Sequence, residues 1–152
     1  MQHFTILPFI GAGSLRFGMT RDEVRGHLSG EVKTFLKTVD AAAPADFFRD
    51  HGLLAYYETE TGGLEALEFA GDIGPAWKGV ALLGRRVKAV LQDIDIAPDG
   101  IAIDGDGVTF EALGFGLYAP GWLKDDEQLV EGVIVFKAGY YALADQPASP
   151  GR

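Results

Sequence analysis

Few side chains in this chain carry chemistry at a useful spacing. There are three histidines, His3, His27 and His51, and no cysteine. Glu23 and His27 stand four residues apart, which puts both on one face of a helix and makes half a metal site. A zinc site needs three or four ligands, and no second cluster follows at a suitable spacing. Asp95, Asp99, Asp104 and Asp106 outline a calcium-binding loop, but the third ligand position holds Ala97 and the bidentate glutamate is absent. Hairpin turns explain these aspartates better. Ser14 lies in Gly11-Ala12-Gly13-Ser14 without the Gly-Lys-Ser/Thr ending of a phosphate loop. Glu65 and Glu68 are the closest approach to a general acid–base pair. No catalytic residue, metal ligand or cofactor site is expected from these patterns.

The aromatic residues point to recognition rather than catalysis. Phe47-Phe48, Tyr56-Tyr57 and Tyr140-Tyr141 are adjacent pairs. On an extended strand, adjacent side chains project to opposite faces, so one ring of each pair is expected at the surface. With Trp77 and Trp122, these rings predict a binding surface drawn from Phe48, Tyr57, Trp77, Trp122 and Tyr141.

The elements that must position these residues read as follows. Thr20-Arg21-Asp22-Glu23 has the form of a capping box, in which Thr20 and Glu23 satisfy each other's backbone amides. It predicts a helix from Arg21 to Leu28, closed by Ser29-Gly30. Glu31–Lys37 predicts a strand, and Asp40–Asp50 a turn or short helix with Pro44 in its first turn. Leu53–Thr59 and Leu64–Ala70 predict a hairpin, although apolar residues in the second strand do not alternate cleanly. Val87, Val90, Leu91 and Ile94 have helical spacing, which predicts a helix over Arg85–Ile94. Strands are expected at Ile101–Ile103, Val108–Glu111 and Leu113–Ala119, then an exposed loop over Pro120–Gln128 and a last strand within Leu129–Leu143. The sum is a single α+β domain over 1–144. Its helices are expected to cover one face of an antiparallel sheet, and 145–152 to form a disordered tail. Matching patterns about 60 to 66 residues apart also suggest two tandem helix-plus-sheet units, near 11–72 and 78–143.

Charge narrows the partners. The net charge is −9, from 13 basic and 22 acidic residues. Such a chain is repelled by phosphate backbones, which argues against nucleic acid. The acidity is concentrated: residues 40–72 alone carry −7. An acidic face can steer a basic protein partner. No apolar run is long enough to span a membrane. Met1-Gln2-His3-Phe4 has no basic stretch leading into an apolar core, so a cytoplasmic location is expected.

The stretch Gly13-Ser14-Leu15-Arg16-Phe17-Gly18-Met19-Thr20-Arg21-Asp22-Glu23-Val24 resembles the G-x-L-x-F-G-M-T-x-x-E-V opening of a bacterial group. That group comprises β-lactamase-inhibitor-protein-like proteins and the SmpA/OmlA assembly lipoproteins. The resemblance implies a non-enzymatic scaffold that binds a protein, as an inhibitor or an immunity factor does. It assigns no partner-contacting residue to this chain. Two other readings stand beside it: a small-ligand binder or enzyme with a pocket between helices and sheet, and a subunit that self-associates through a sheet edge.

Overall fold

The first helix begins where its capping residues require. The Glu23 amide donates to Thr20 Oγ1 at 3.2 Å and the Thr20 amide donates to Glu23 Oε1 at 2.9 Å, so both halves of the box are made. The same segment is anchored from behind: Gly18 donates to the Leu64 carbonyl and Leu64 to the Met19 carbonyl. Helix α1 spans Arg21–His27, and Gly30 turns the chain with φ of 95°.

The computed structural model describes residues 4–36, 44–71, 74–94 and 100–140. Ahead of α1, strands β1 (Ile6–Leu7), β2 (Gly11–Ala12) and β3 (Leu15–Arg16) make a small antiparallel sheet. After it come β4 (Val32–Phe35), β5 (Ala45–Phe48), β6 (Leu53–Tyr57) and β7 (Leu64–Phe69). A second hairpin, β8 (Ala76–Trp77) and β9 (Val80–Ala81), precedes helix α2 (Val87–Asp93). Then follow β10 (Ile101–Asp104), β11 (Gly107–Phe110), β12 (Phe115–Tyr118) and β13 (Gly132–Phe136).

Eight of these strands form one antiparallel sheet in the order β10-β11-β12-β13-β7-β6-β5-β4. Each helix thus leads into a four-stranded meander, and the meanders meet where β7 pairs β13, with Leu67 opposite Val135. The residues 145–152 lie outside the described range.

The fold corrects the expected α+β architecture. The protein is predominantly antiparallel β, and among the described residues its two α-helices are seven residues each, too short to form a layer over an eight-stranded sheet. Val87, Val90 and Leu91 set helical spacing for only two turns. Asp40–Asp50 was expected to turn or coil into a helix, but Ala45–Phe48 is a sheet strand between β4 and β6. Its helix-start reading rested on Pro44, which equally well precedes an extended segment.

One sheet face carries the main core. Phe48, Leu53, Phe69, Val133, Leu117 and Val108 form a continuous buried row across six strands. Val24 and Leu28 at α1, Val87 and Val90 of α2, and Phe4, Ile6 and Leu15 close over the same cluster. Each such side chain contributes about 1.5–3 kcal/mol on burial. Trp122 belongs to this core too: its indole N–H donates to the Asp104 carbonyl at 2.8 Å, pinning the Pro120–Gln128 loop against the β10–β11 turn. Among the described residues no helix is long and apolar enough to cross a membrane.

Candidate binding surface

The opposite sheet face is only partly covered. Register places Thr109, Gly116, Ile134, Glu68, Leu54, Phe47 and Lys33 in one row across seven strands. Part of this face is closed. Phe136, Ala66, Tyr56 and Ala45 form a neighbouring buried row, packed by Phe9 and Tyr140. The Phe136 and Tyr140 rings stack with centroids 6.0 Å apart. The Thr109–Lys33 row remains accessible: Ile134, Glu68, Leu54 and Phe47 are all half-buried.

Two of the depressions that touch this row differ in character. The first, about 420 Å³, has Gly107, Gly116 and Gly132 along its floor, where no side chain fills the space. Ile134 and Tyr118, the latter 53% exposed, bound it, and Glu68, Asp104 and Asp106 supply carboxylates. The second, about 380 Å³, is apolar, formed by Phe35, Phe47 and Leu54 beside the Lys33 stem. Glu68 and Leu54, paired across β7 and β6, stand between the two. The surface therefore joins an acidic, glycine-floored end to an apolar aromatic end.

The β6–β7 pairing explains the broken alternation in the Leu64–Ala70 segment. Tyr56 opposes Ala66 but Tyr57 opposes Leu64, so Glu65 is an extra, bulged residue. The Tyr56 hydroxyl donates to Glu68 Oε1 at 3.1 Å. Burial raises the Tyr140 phenol to about 12, and the charges of Glu65 and Glu68 push it the same way. Tyr56 is raised still further, by burial first and then by Glu68. These tyrosines favour the folded state while neutral. Their folded values lie above the ordinary phenol value of about 10, so their contribution is complete below that value and is lost as pH rises through it. Denaturant midpoints should accordingly fall between pH 10 and pH 12. Phenylalanine at both 56 and 140 should flatten that alkaline limb; an equally steep limb in the double variant would contradict the assignment.

A second polar cluster sits on the core side, beneath α1. Asp46 is fully buried. It accepts from Arg21 at 2.6 Å, from Arg25 at 2.9 Å through two nitrogens, from Thr34 at 3.0 Å and from the Tyr57 hydroxyl at 3.3 Å. The Arg21 guanidinium also lies 4.4 Å from the Tyr57 ring centroid. Burial pulls the Asp46 carboxyl upward, but the bonds from Arg25 and Thr34 and the two arginine charges hold it below the ordinary carboxylate value. Tyr57 is raised by burial first and by Asp46 next. Arg21 also donates to the Pro44 carbonyl at 2.7 Å, and the arrangement ties α1 to β4, β5 and β6. It leaves no free acid or base aimed at solvent.

The residues singled out from the sequence divide differently. Phe48 is in the core, Tyr57 is in the Asp46 cluster, and Trp122 is buried beneath the β10–β11 turn. Trp77 is half-buried, 6.2 Å from the Phe115 ring, with the Lys78 ammonium 5.1 Å from its own. Tyr141 lies outside the described residues. The four described side chains are not brought together at a surface. Their neighbours Phe47 and Tyr56 face the other side, and Phe47 is the accessible ring. Alternation along β5 was a usable signal; which ring of each pair turned outward depended on register. Among the described residues, no three potential ligands come together to hold a metal. Glu23 is used by the helix cap, which holds its carboxyl below the ordinary value. Gly11 and Ala12 form β2 and turn directly into β3, giving a hairpin in place of a phosphate cradle.

No known protein family and no curated protein matches the chain. Among solved structures, its backbone is similar to that of the uncharacterized protein yfeY from Escherichia coli. The TM-score is 0.48, with 89% of this chain and 99% of that one covered and 8% of residues identical.

Proposed function

We propose that the protein is a non-catalytic binding module that presents the accessible row of its eight-stranded sheet to a basic protein partner. The observation that carries this is the asymmetry of the sheet. One face is closed by the hydrophobic core, while the other keeps half-buried Phe47, Leu54 and Ile134 beside Glu68, Asp104 and Asp106. Apolar side chains left at the surface beside polar ones are the usual anchors of a protein interface. The carboxylates at one end favour a cationic residue there, and the net charge of −9 favours encounter with a basic protein. The Gly13–Val24 resemblance to inhibitor-like scaffolds supports the same reading, as does the lack of an unpartnered acid, base or nucleophile in the Asp46 cluster.

The floor of the acidic depression offers a specific test. A Cβ on Gly116 would meet its nearest neighbours, Thr109 Oγ1 and the Val108 carbonyl, at 3.4 Å, so the first carbon of a side chain is accommodated at the floor of the depression. Gly116→Leu should fold normally and fill the site. Glu60→Leu, on the exposed β6–β7 turn, is the control. In capture experiments from the native host, the partner should be retained by the wild type and the control. Gly116→Leu should weaken its binding by roughly tenfold or more, the scale of a lost interface anchor. Added salt should slow association. Recovery of no specific protein, or equal recovery with Gly116→Leu, would count against the proposal.

A further inference from the structure

The two edges of the large sheet are built differently. At one end, β4 places Lys33 among its four residues, and a charged edge discourages pairing with another strand. At the other end, β10 reads Ile101-Ala102-Ile103-Asp104 and contains neither lysine nor proline. Ile103 is 56% exposed, and Ala102 is exposed as well. Trp122, bonded to the Asp104 carbonyl, brings Leu123, 57% exposed, to the same corner of the sheet.

The hydrogen-bond phase of this edge follows from its pairing. Glu111 donates to the Gly100 carbonyl, and the register continues as Ala102 with Thr109 and Asp104 with Gly107. Alternation in an antiparallel ladder therefore turns the backbone groups of Gly100, Ala102 and Asp104 toward β11. The N–H and C=O groups of Ile101 and Ile103 point away from β11, and no described strand lies beyond them.

We propose that β10 pairs antiparallel with β10 of a second copy of this chain, about a two-fold axis passing beside Ala102. In that register Ile101 opposes the second copy's Ile103, and the reverse. Each such pair exchanges both of its main-chain bonds, so all the outward groups of the two isoleucines are satisfied. The isoleucine side chains stand side by side on the core face, covering the exposed part of Ile103. Asp104 falls opposite the second copy's Gly100, so no two carboxylates confront each other. The strand is self-complementary in hydrogen bonding, shape and charge placement, as a two-fold interface requires. The two eight-stranded sheets become continuous. This surface lies at the sheet edge, apart from the accessible row proposed for the basic partner, and does not depend on it.

The two interactions respond oppositely to salt. Each copy carries −9, so their approach is opposed by repulsion that salt screens, and dimerisation should tighten as ionic strength rises. Binding of a basic partner should weaken. Sedimentation velocity on the full chain, from low micromolar to near-millimolar concentration, should show a monomer–dimer equilibrium that shifts toward dimer with added sodium chloride. Ile103→Lys should weaken dimerisation by roughly tenfold or more, because it places a charge within the pairing edge. Ile103→Pro should do the same by removing an N–H that faces away from β11 and pairs with no other described strand. In the wild type, the Ile101 and Ile103 amides should gain hydrogen-exchange protection with concentration. A wild-type monomer throughout the range at high salt would overturn the proposal. So would a dimer that persists in both folded variants, or one that forms with these two amides unprotected.

Discussion

Replacing Asp46 with alanine should destabilise the protein by about 3 kcal/mol, measured by chemical denaturation at neutral pH. Breaking a buried ion pair by removing one partner typically costs about 3–5 kcal/mol, because the remaining charge keeps its desolvation penalty. The lower end applies here. Asp46 is 0% exposed, but the side chains of Arg21 and Arg25 keep 27% and 34% of their exposure and can turn partly to water. Removing both arginines instead strands the fully buried carboxylate with only Thr34 and Tyr57, and should cost at least as much. The pH dependence follows from the lowered carboxyl value of Asp46. Its contribution is present above the unfolded aspartate value of about 3.9 and is lost as pH falls through that value toward the folded one. Asp46→Asn should therefore lower stability at pH 7 and flatten the acid limb below about pH 4. A variant as stable as the wild type at pH 7, with an unchanged acid limb, would show that the cluster does not hold α1 to the sheet.

Phe69→Ala should cost about 3–5 kcal/mol, the usual range for removing a buried phenylalanine ring. Phe69 is 0% exposed and lies on β7, between Leu53 of β6 and Val133 of β13. Its ring also meets Phe4, with centroids 5.0 Å apart. Those contacts place it at the seam where the two meanders join. The neighbours are held by sheet hydrogen bonds, so the cavity cannot readily collapse. Denaturant unfolding should remain a single transition with a lower midpoint. A loss under 1 kcal/mol would mean that the seam repacks freely. Two separated transitions would mean that the meanders fold as independent units.

Local determinants were legible in the sequence and long-range ones were not. Thr20 and Glu23 define the start of α1 because both capping bonds close within four residues. The Gly105-Asp106 turn was legible for the same reason. The β5 strand was not. Asp46 is an unusual residue for a strand interior, and what permits it there is a pair of arginines more than twenty residues earlier in the chain. The α+β expectation failed because the extent of the sheet depends on long-range pairing: eight strands join in one sheet, which two helices of seven residues cannot cover. The Phe47–Phe48 and Tyr56–Tyr57 pairs alternate across their strands, while Tyr141 lies outside the described residues. The choice of Phe48 over Phe47 needed the strand register, and the Tyr56–Tyr57 pair needed the bulge at Glu65 as well. Trp122 lies in a loop with an acidic run and reads as exposed; it packs in the main core, with its N–H bonded to the Asp104 carbonyl. The candidate surface itself leaves almost no sequence signal, because its floor is glycine and its row is assembled from seven strands.

Site-specific photo-crosslinking in the native host tests the central claim most directly. A photoreactive residue at Leu54 or Ile134, both half-buried on the accessible row, should give an adduct of discrete mass with another protein. The same residue at Lys88, exposed on α2, should give no adduct of that mass. Adducts identical at all three positions, or none from Leu54 and Ile134, would contradict the assignment of this sheet face as the binding surface.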